Sequence, residues 1–329
     1  MSDIMELVKS SPTQAIQDAF IKGYHKIHGY DDFRTYDRIM VSISGGSDSD
    51  ILMDYCERIG YPEGTLKYVF FDTGMEFKAT KHHLDFLEKK YGVEIHREKA
   101  KVPVPVGVKK YGFPFLSKQT SEWISRLQRH KFQWEDEPFG VLYTRYPKCK
   151  AALRWWCNEW GENSRVNINT QKWLKEFMIA NPPDFPISPG CCAGAKKKTA
   201  KMLAEKYEPD LDIQGVRKAE GGARATAYKS CFDDVFGGCD RFRPIFWYKK
   251  EDKESYENAF DVTHSACYTE YGLKRTGCAC CPFGSNFEHE LEATQQYEPL
   301  LYKAANNVFG KSYEYTRKYH EFKKMMDSK

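Results

Sequence analysis

The sequence lacks any long apolar run. Its two longest, residues 68–71 and 102–108, are far shorter than the ~20 apolar residues that a membrane helix needs. The first residues also lack the basic stretch and apolar core of a secretory signal. We therefore expect a cytoplasmic protein with no membrane partner.

Neither sign of charge dominates, and no internal repeat or low-complexity segment is present. The chain has 50 Lys and Arg against 46 Asp and Glu, a net charge of +4, and 41% of its 329 residues are hydrophobic. This balance is typical of globular proteins and excludes disordered and fibrous classes. The small basic excess permits an anionic partner without requiring one. Because no segment reads as a linker, we expect one α/β domain over residues 1–329.

The eleven cysteines are unevenly placed. Cys191 and Cys192 form one cluster, and Cys278, Cys280 and Cys281 form another. An odd number of cysteines without an export signal argues against a disulfide scaffold, and clustered cysteines inside the cell are more often metal ligands or redox groups.

Strand and helix patterns alternate in the first third of the chain. Short β-branched or apolar runs at residues 38–43, 66–71 and 93–97 predict strands, and helical spacing at 48–59 and 77–91 predicts helices between them. This alternation predicts an α/β fold with a doubly wound, mainly parallel sheet. Further strands are predicted at 211–216 and 244–247, and further helices at 15–27, 120–131, 171–180, 193–207, 251–260 and 288–305.

A glycine-rich loop joins the first predicted strand to the helix after it. Glycines let the backbone approach a ligand closely, and the helix N-terminus favours an anion. The predicted nucleotide-binding residues here are Ser42, Ser44, Gly45, Gly46, Ser47, Asp48 and Ser49. Asp48 could cap the helix or help to hold Mg²⁺. The alternative is a serine-rich turn with an Asp cap.

The segment SGGSDS resembles the SGGxDS loop of the PP-loop enzymes, the N-type ATP pyrophosphatases. Residues 71–77, FDTGMEF, are similar to the DTGxxF segment of the phosphoadenylyl sulfate (PAPS) reductase branch of these enzymes. The resemblance implies that ATP or an adenine sulfonucleotide binds over the sheet edge, lined by Asp72, Thr73 and Gly74. Taken alone, DTG is equally consistent with an ordinary turn between a strand and a helix.

The two cysteine clusters supply four thiolates for one metal centre. Cys278 and Cys281 have C-x-x-C spacing, and Cys191 and Cys192 add two more sulfurs. Adjacent cysteines bind one tetrahedral zinc ion awkwardly, whereas a cubane cluster offers each its own iron; zinc remains the alternative. The halves CCAGAKK and TGCACC resemble the CCxxRK and GCxxC halves of the 4Fe–4S site in adenylyl sulfate reductases and DNA-phosphorothioation sulfurtransferases. The sequence departs from them at Ala195 and at the extra Cys280.

Arginines and one more cysteine complete the predicted site. Arg217 and Arg224 lie in a segment that resembles the G-[IV]-R…R segment of this family, which implies contacts with substrate phosphates, and Arg275 is assigned the same role. Each could instead be a surface arginine in a salt bridge. Cys157 lies in a segment resembling the R-[FW]-C segment of phosphorothioation-type enzymes and is the predicted sulfur-carrying thiol.

The resemblance divides the chain into four parts and implies a reaction. Residues 35–100 form the PP-loop core, 100–185 an aromatic and basic insertion, 186–285 the cluster-binding and substrate half, and 286–329 a helical tail. The family cleaves Mg-ATP between its α- and β-phosphates, with Asp48 and Arg217 as the predicted catalytic residues. No thiol follows Cys281, where family reductases carry their nucleophile, so the expected reaction is adenylation of an acceptor followed by sulfur transfer.

The sequence is therefore consistent with three functions. The first is an ATP-dependent sulfurtransferase supplied by a cysteine desulfurase or another sulfur donor. The basic and aromatic residues of segment 142–157 suit a nucleic-acid acceptor, although a solvated basic face would have the same composition. The second is a sulfonucleotide reductase with a displaced nucleophile, such as Cys157, Cys239 or Cys267. The third is a nucleotide-binding adaptor in a modification or defence complex.

Overall fold

The computed structural model describes residues 2–28, 35–221, 226–235, 237–284 and 286–328. The strands are β1 (Ile39–Ile43), β2 (Leu66–Asp72), β3 (Ile95–Lys99), β4 (Leu211–Gln214), β5 (Phe232–Asp233) and β6 (Asp240–Phe242). The helices are α1 (Ser2–Ser10), α2 (Gln14–His28), α3 (Ser47–Ile59), α4 (Lys78–Tyr91), α5 (Val104–Tyr111), α6 (Lys118–Arg129), α7 (Phe139–Arg145), α8 (Lys150–Trp156), α9 (Leu174–Ala180), α10 (Gly190–Cys192), α11 (Lys198–Tyr207), α12 (Lys250–Phe260), α13 (Ala266–Thr269), α14 (Phe287–Tyr297) and α15 (Pro299–Asp327).

The strands form one sheet in the order β3-β2-β1-β4-β6-β5, and every neighbouring pair is parallel except β5 with β6. The predicted α/β fold with a doubly wound, mainly parallel sheet is confirmed. The chain leaves β1 toward β2 on one side, while β4 pairs with β1 on the other. Loops that follow β1 and β4 therefore diverge at a crevice, which is where open α/β sheets bind ligands.

The described chain groups into two compact units. Unit 1 comprises residues 1–72, 76–100 and 199–277, and it contains the whole sheet. Unit 2 comprises residues 73–75, 101–198 and 278–329. The expectation of a single α/β domain with four functional ranges stays a prediction.

The core of unit 1 is the face of the sheet covered by α2, α3 and α4. Val41, Tyr68 and Ile213 from three adjacent strands pack there with Phe20 and Tyr55 from the helices, all of them buried. The alternation of a buried strand with an amphipathic helix predicted these elements because both patterns arise from burial of this one core.

The core of unit 2 is unusually aromatic. Trp156 is fully buried against Phe132 and Trp134, and Phe177 packs against Tyr315 and Tyr319 of α15. These rings fill the volume between short helices that have little periodicity of their own. Aromatic packing between residues far apart in sequence therefore holds unit 2 together.

Three sequence expectations about elements were wrong. Residues 244–247 do not form a strand: β6 ends at Phe242, and the chain then turns, with the amide of Phe246 donating to the carbonyl of Arg243 at 3.1 Å. The predicted helix 288–305 is two helices, which part at Glu298 because a residue before proline disfavours helical backbone angles. Helix α5 was missed, since its prolines lie in the first turn where they are tolerated.

Candidate functional sites

The loop between β1 and α3 gathers its polar groups around one hydroxyl. The Oγ of Ser49 accepts the amides of Ser44 at 3.2 Å and Gly46 at 3.0 Å, and it donates to the carbonyl of Gly46 at 2.8 Å. Gly45 has φ +64°, a left-handed value that favours glycine and makes the sharp turn possible. Ser49 thus holds the backbone of the loop at the N-terminus of α3, whose positive dipole end favours an anion.

Gly46 borders a space surrounded by hydroxyl groups. A Cβ at this position would lie 3.0 Å from Oγ1 of Thr276 and 3.3 Å from both Oγ of Ser44 and the hydroxyl of Tyr268. Tyr268 and Thr276 are themselves 3.0 Å apart, and the hydroxyl of Tyr268 accepts the amide of Ser47 at 3.1 Å. The bare face of Gly46 therefore opens onto a hydroxyl-lined cradle that a side chain would fill.

Asp48 lies between two cations at the start of α3. Its Oδ2 is 2.8 Å from Nε of Arg217, which follows β4, and its Oδ1 is 3.0 Å from Nζ of Lys253 on α12. Burial alone would raise the pKa of Asp48, but the two cations outweigh burial and hold its pKa below the usual value. Asp48 thus fixes two positive side chains beside the loop, and its service as a Mg²⁺ ligand stays a prediction.

A buried chain of charged groups supports this arrangement from behind. Asp50, which is 1% exposed, contacts Nε2 of His83 at 3.0 Å and Nδ1 of His264 at 2.8 Å. The other ring nitrogen of His264 is 2.8 Å from Glu257, whose carboxylate is 3.6 Å from Lys253. Burial alone would lower the pKa of His264, but its bonds to Asp50 and Glu257 outweigh burial and raise the pKa to about 9.

The remaining predicted nucleotide and phosphate residues occupy different surroundings. Ser42 lies within β1, and Asp72 ends β2 with an ion pair to Lys81 at 3.2 Å. Thr73 and Gly74 belong to unit 2. Arg275 is exposed in unit 1, and Arg224 lies outside the described residues. The structure thus brings Ser44, Gly46, Ser47, Asp48, Ser49 and Arg217 together in unit 1.

Unit 2 contains the four predicted cluster ligands. Cys191 and Cys192 form the helical turn α10, and Gly107 of α5 packs so closely that a Cβ there would lie 2.9 Å from Cα of Cys191. A hydrogen bond with Cys192, burial, and the thiols of Cys281 and Cys278 all raise the pKa of Cys191. The thiol of Cys278 is 3.5 Å from Oγ1 of Thr73.

The four thiols suit an iron–sulfur cluster by their chemistry. All four are sulfur donors, and those of Cys191, Cys278 and Cys281 are close enough to disturb one another's ionisation. The hydrogen bond from Cys191 lowers the pKa of Cys192, with Lys118 and Lys196 adding to the effect. Within the described residues, no three His, Cys, Asp or Glu side chains surround a common point as ligands of a single metal ion would. The 4Fe–4S cluster stays a prediction.

Cys280 faces away from these ligands and anchors their turn. It is fully buried, with φ +54°, and its thiol lies 3.2 Å from Oγ1 of Thr294. Its amide donates to Glu290 at 3.0 Å, and its carbonyl accepts the hydroxyl of Tyr313 at 2.6 Å. Helices α14 and α15 therefore fasten the C-x-x-C turn through the residue between its two ligands.

Cys157 lies apart from the four-thiol group, at the end of α8. Its thiol is 3.8 Å from the carbonyl of Glu137, and burial raises its pKa to about 11. Burial likewise raises the pKa of Cys239 to about 11, and Cys267 is fully buried beside Thr80. Little thiolate is therefore present on Cys157 or Cys239 at neutral pH, and the sulfur-carrying role of Cys157 stays a prediction.

Lys253, Tyr268 and Thr276 are the site residues that sequence reasoning missed. All three contact the β1–α3 loop or its first helical residues from positions more than 200 residues further along the chain. Thr276 is the first residue of the TGCACC segment, so the sequence offered a signal for this residue. Lys253 and Tyr268 lie in no recognisable motif.

The comparisons with known proteins agree with the loop chemistry. Residues 38–132 match the family model of the phosphoadenosine phosphosulfate reductase domain. The resemblance to the PAPS reductase family is therefore confirmed, and it rests on the part of the chain that holds β1 to β3. No curated protein matches this sequence.

Three solved structures are distantly similar. Phosphoadenylyl-sulfate (PAPS) reductase from Candida auris, a phosphate complex, is 11% identical, with a TM-score of 0.42 over 82% of this chain and 96% of that one. The U34-tRNA thiolase NcsA from Methanococcus maripaludis with its [4Fe-4S] cluster is 12% identical, with a TM-score of 0.39 over 94% and 80%. NH3-dependent NAD synthetase from Campylobacter jejuni, a nitrate complex, is 12% identical, with a TM-score of 0.35 over 91% and 95%.

Among the described residues, no helix combines the length and apolar character needed to cross a bilayer.

Proposed function

We propose that this protein is an ATP-dependent sulfurtransferase of the PAPS reductase family that acts on a nucleic acid or nucleotide. The observation that carries the proposal is the set of groups at the start of α3. The N-terminus of α3, a hydroxyl cradle at Gly46, and the cations Arg217 and Lys253 held on Asp48 form a site for a polyphosphate.

The reaction proposed is cleavage of ATP between its α- and β-phosphates. An oxygen of the acceptor attacks the α-phosphorus, the bond to the bridging oxygen breaks, and pyrophosphate leaves. The negative charge that develops on pyrophosphate is met by the hydroxyl groups around Gly46 and by the ammonium and guanidinium groups beside Asp48. Mg²⁺, when bound with ATP, would neutralise part of the same charge.

The second half of the reaction replaces the adenylated oxygen with sulfur. A sulfur nucleophile from an external donor attacks the acceptor carbon, the carbon–oxygen bond breaks, and AMP leaves with its electron pair. Cys191, Cys192, Cys278 and Cys281 would hold a 4Fe–4S cluster, which supplies a redox-active or electrostatic centre when bound. Cys280 and Tyr313 keep the second ligand pair in position.

Incubation of anaerobically purified protein with Mg-ATP, ³⁵S-sulfide, and either total cellular RNA or DNA fragments tests this proposal. We expect equal amounts of AMP and pyrophosphate, and label in one of the nucleic acids. Asp48→Asn should abolish AMP formation with iron content unchanged, and Cys278→Ala should lose iron. A wild-type protein that forms no AMP with either acceptor would contradict the proposal.

A sulfonucleotide reductase is the second candidate, because the matching family model is that of the PAPS reductase domain. The same phosphate-binding groups would then hold a sulfonucleotide in place of ATP. Sulfite release from adenylyl or phosphoadenylyl sulfate in the presence of thioredoxin distinguishes the reductase from the sulfurtransferase.

A further inference from the structure

Unit 2 carries a patch of lysines beside the first cysteine pair. It consists of Lys110, Lys118, Lys196, Lys197 and Lys198, all exposed, together with the half-buried Tyr111, and we name it the lysine surface. The segment that carries Tyr111 packs closely against the segment that carries the three consecutive lysines. A Cβ at Gly190 would lie 2.5 Å from Cβ of Tyr111, and a Cβ at Gly194 would lie 3.5 Å from the tyrosine ring.

The two segments that form the lysine surface contain no acidic residue. Residues 101–121 and 185–198, from which it is built, contain seven Lys and no Asp or Glu. Unit 2 as a whole has 24 Lys and Arg against 15 Asp and Glu, a net charge of +9, whereas unit 1 has 26 against 31, a net charge of −5. The mild charge of the whole chain thus conceals a strongly basic unit, and such a concentration of charge attracts polyanions.

Tyr111 lies between two of the lysines. Nζ of Lys198 is 3.2 Å from its hydroxyl and 5.3 Å from the ring centre, and Nζ of Lys110 is 5.4 Å from the ring centre. Both ammonium groups lie over the ring, and rotation of the two lysines outward onto phosphates would uncover a face on which a base can stack. Compact ammonium groups bind phosphate as point charges, without a requirement for sequence.

We propose that the lysine surface binds single-stranded nucleic acid, with a base stacked on Tyr111 and flanking phosphates on Lys110 and Lys198. The proposal rests on the proposed function, because it identifies the acceptor as a polynucleotide rather than a mononucleotide. Lys196 lies about one helical turn after Cys192, so a strand bound on the lysine surface would lie beside the predicted cluster ligands. An acidic protein could pair with the lysines, but unlike a nucleic acid it has no base to stack on the ring of Tyr111.

The test is equilibrium binding of a fluorescein-labelled single-stranded 16-mer of mixed sequence, followed by fluorescence anisotropy without ATP. The wild-type affinity should fall as salt rises. Lys110→Gln/Lys198→Gln should reduce the slope of log affinity against log salt by about 1.4, since each phosphate contact on a single strand contributes about 0.7. Tyr111→Leu should weaken binding on the order of tenfold, and Tyr111→Phe should restore it because stacking needs only the ring.

The matched control is Lys303→Gln/Lys318→Gln, which removes the same charge from exposed lysines on α15 of unit 2, away from the lysine surface in sequence. We expect this control to keep nearly the wild-type slope. Equal losses in the two double variants would overturn the proposal, because they would reflect net charge alone. Equal affinity for an acidic peptide of the same charge would overturn it as well. Since the measurement needs neither ATP nor turnover, it can succeed even where the sulfurtransferase assay fails.

Discussion

A side chain at Gly46 should weaken nucleotide binding without lowering the free energy of unfolding. Gly46 has φ −97°, a backbone angle that any residue can adopt, so Gly46→Ala introduces no backbone strain. The new Cβ would meet three hydroxyl oxygens at 3.0 to 3.3 Å, which is tight but allows small shifts. The variant should therefore fold normally while occupying the space that a phosphate oxygen needs.

The size of the effect follows from the groups that the methyl group displaces. A hydrogen bond to a charged phosphate contributes about 1.5 to 3 kcal/mol, so loss of one such bond weakens ATP binding roughly tenfold to a hundredfold. Gly46→Val adds two further methyl groups and should abolish binding. Iron content should be unchanged in both variants, because the predicted ligands all belong to unit 2.

Two glycines serve as comparisons. Gly45 has φ +64°, and a Cβ there would lie 2.5 Å from Cγ2 of Thr80, so Gly45→Ala should lower the free energy of unfolding by at least ~1–2 kcal/mol. Gly140 has no neighbour within 4 Å, so Gly140→Ala should change neither property.

The measurements are calorimetric titration with a non-hydrolysable ATP analogue and Mg²⁺, and thermal unfolding of the same samples. Wild-type affinity in Gly46→Val would refute the phosphate-loop assignment. Loss of folding in Gly46→Ala would refute the argument that this glycine serves the ligand alone.

Three further results are expected. Tyr313→Phe leaves the buried carbonyl of Cys280 without its donor, at a cost of about 1–3 kcal/mol, and should speed the loss of iron to a chelator. Tyr319→Phe is the control on the same helix, because the hydroxyl of Tyr319 bonds the carbonyl of Lys172 and the change should leave the rate of iron loss unaltered. Equal rates in the two variants would contradict the anchoring role of Tyr313. Because the pKa of His264 is raised to about 9, its protonated ring stabilises unit 1 fully below pH ~6.5, and this stabilisation is lost as the pH rises through 9. His264→Asn should remove this pH dependence from the free energy of unfolding. The same pH profile in the variant and the wild type would refute the prediction. The wild type should release no sulfite from either sulfonucleotide with thioredoxin; sulfite that disappears in Cys157→Ser would favour the reductase and identify its nucleophile.

The sequence alone determined strands β1 to β4 and the loop that follows β1. Residues 38–43 and 66–71 are short apolar runs bounded by turns, and burial inside a parallel sheet leaves that pattern in any sequence. The loop was recognisable because glycines, hydroxyls and a helix start must be adjacent in sequence to surround a phosphate. The C-x-x-C spacing and the adjacent cysteine pair indicated a shared metal centre, and the resemblance favoured a 4Fe–4S cluster there, which stays a prediction.

Only the tertiary structure decided which residues face that loop. Lys253 and Tyr268 reach it because β4 pairs beside β1 and the chain after β4 then returns over the start of α3, a fact of topology that no local period records. The same holds for Asp48, whose two cations come from segments 169 and 205 residues away in sequence. Hydrophobic spacing reports which face of an element is buried, but contacts between elements depend on strand order, and strand order is set by the packing of the whole unit.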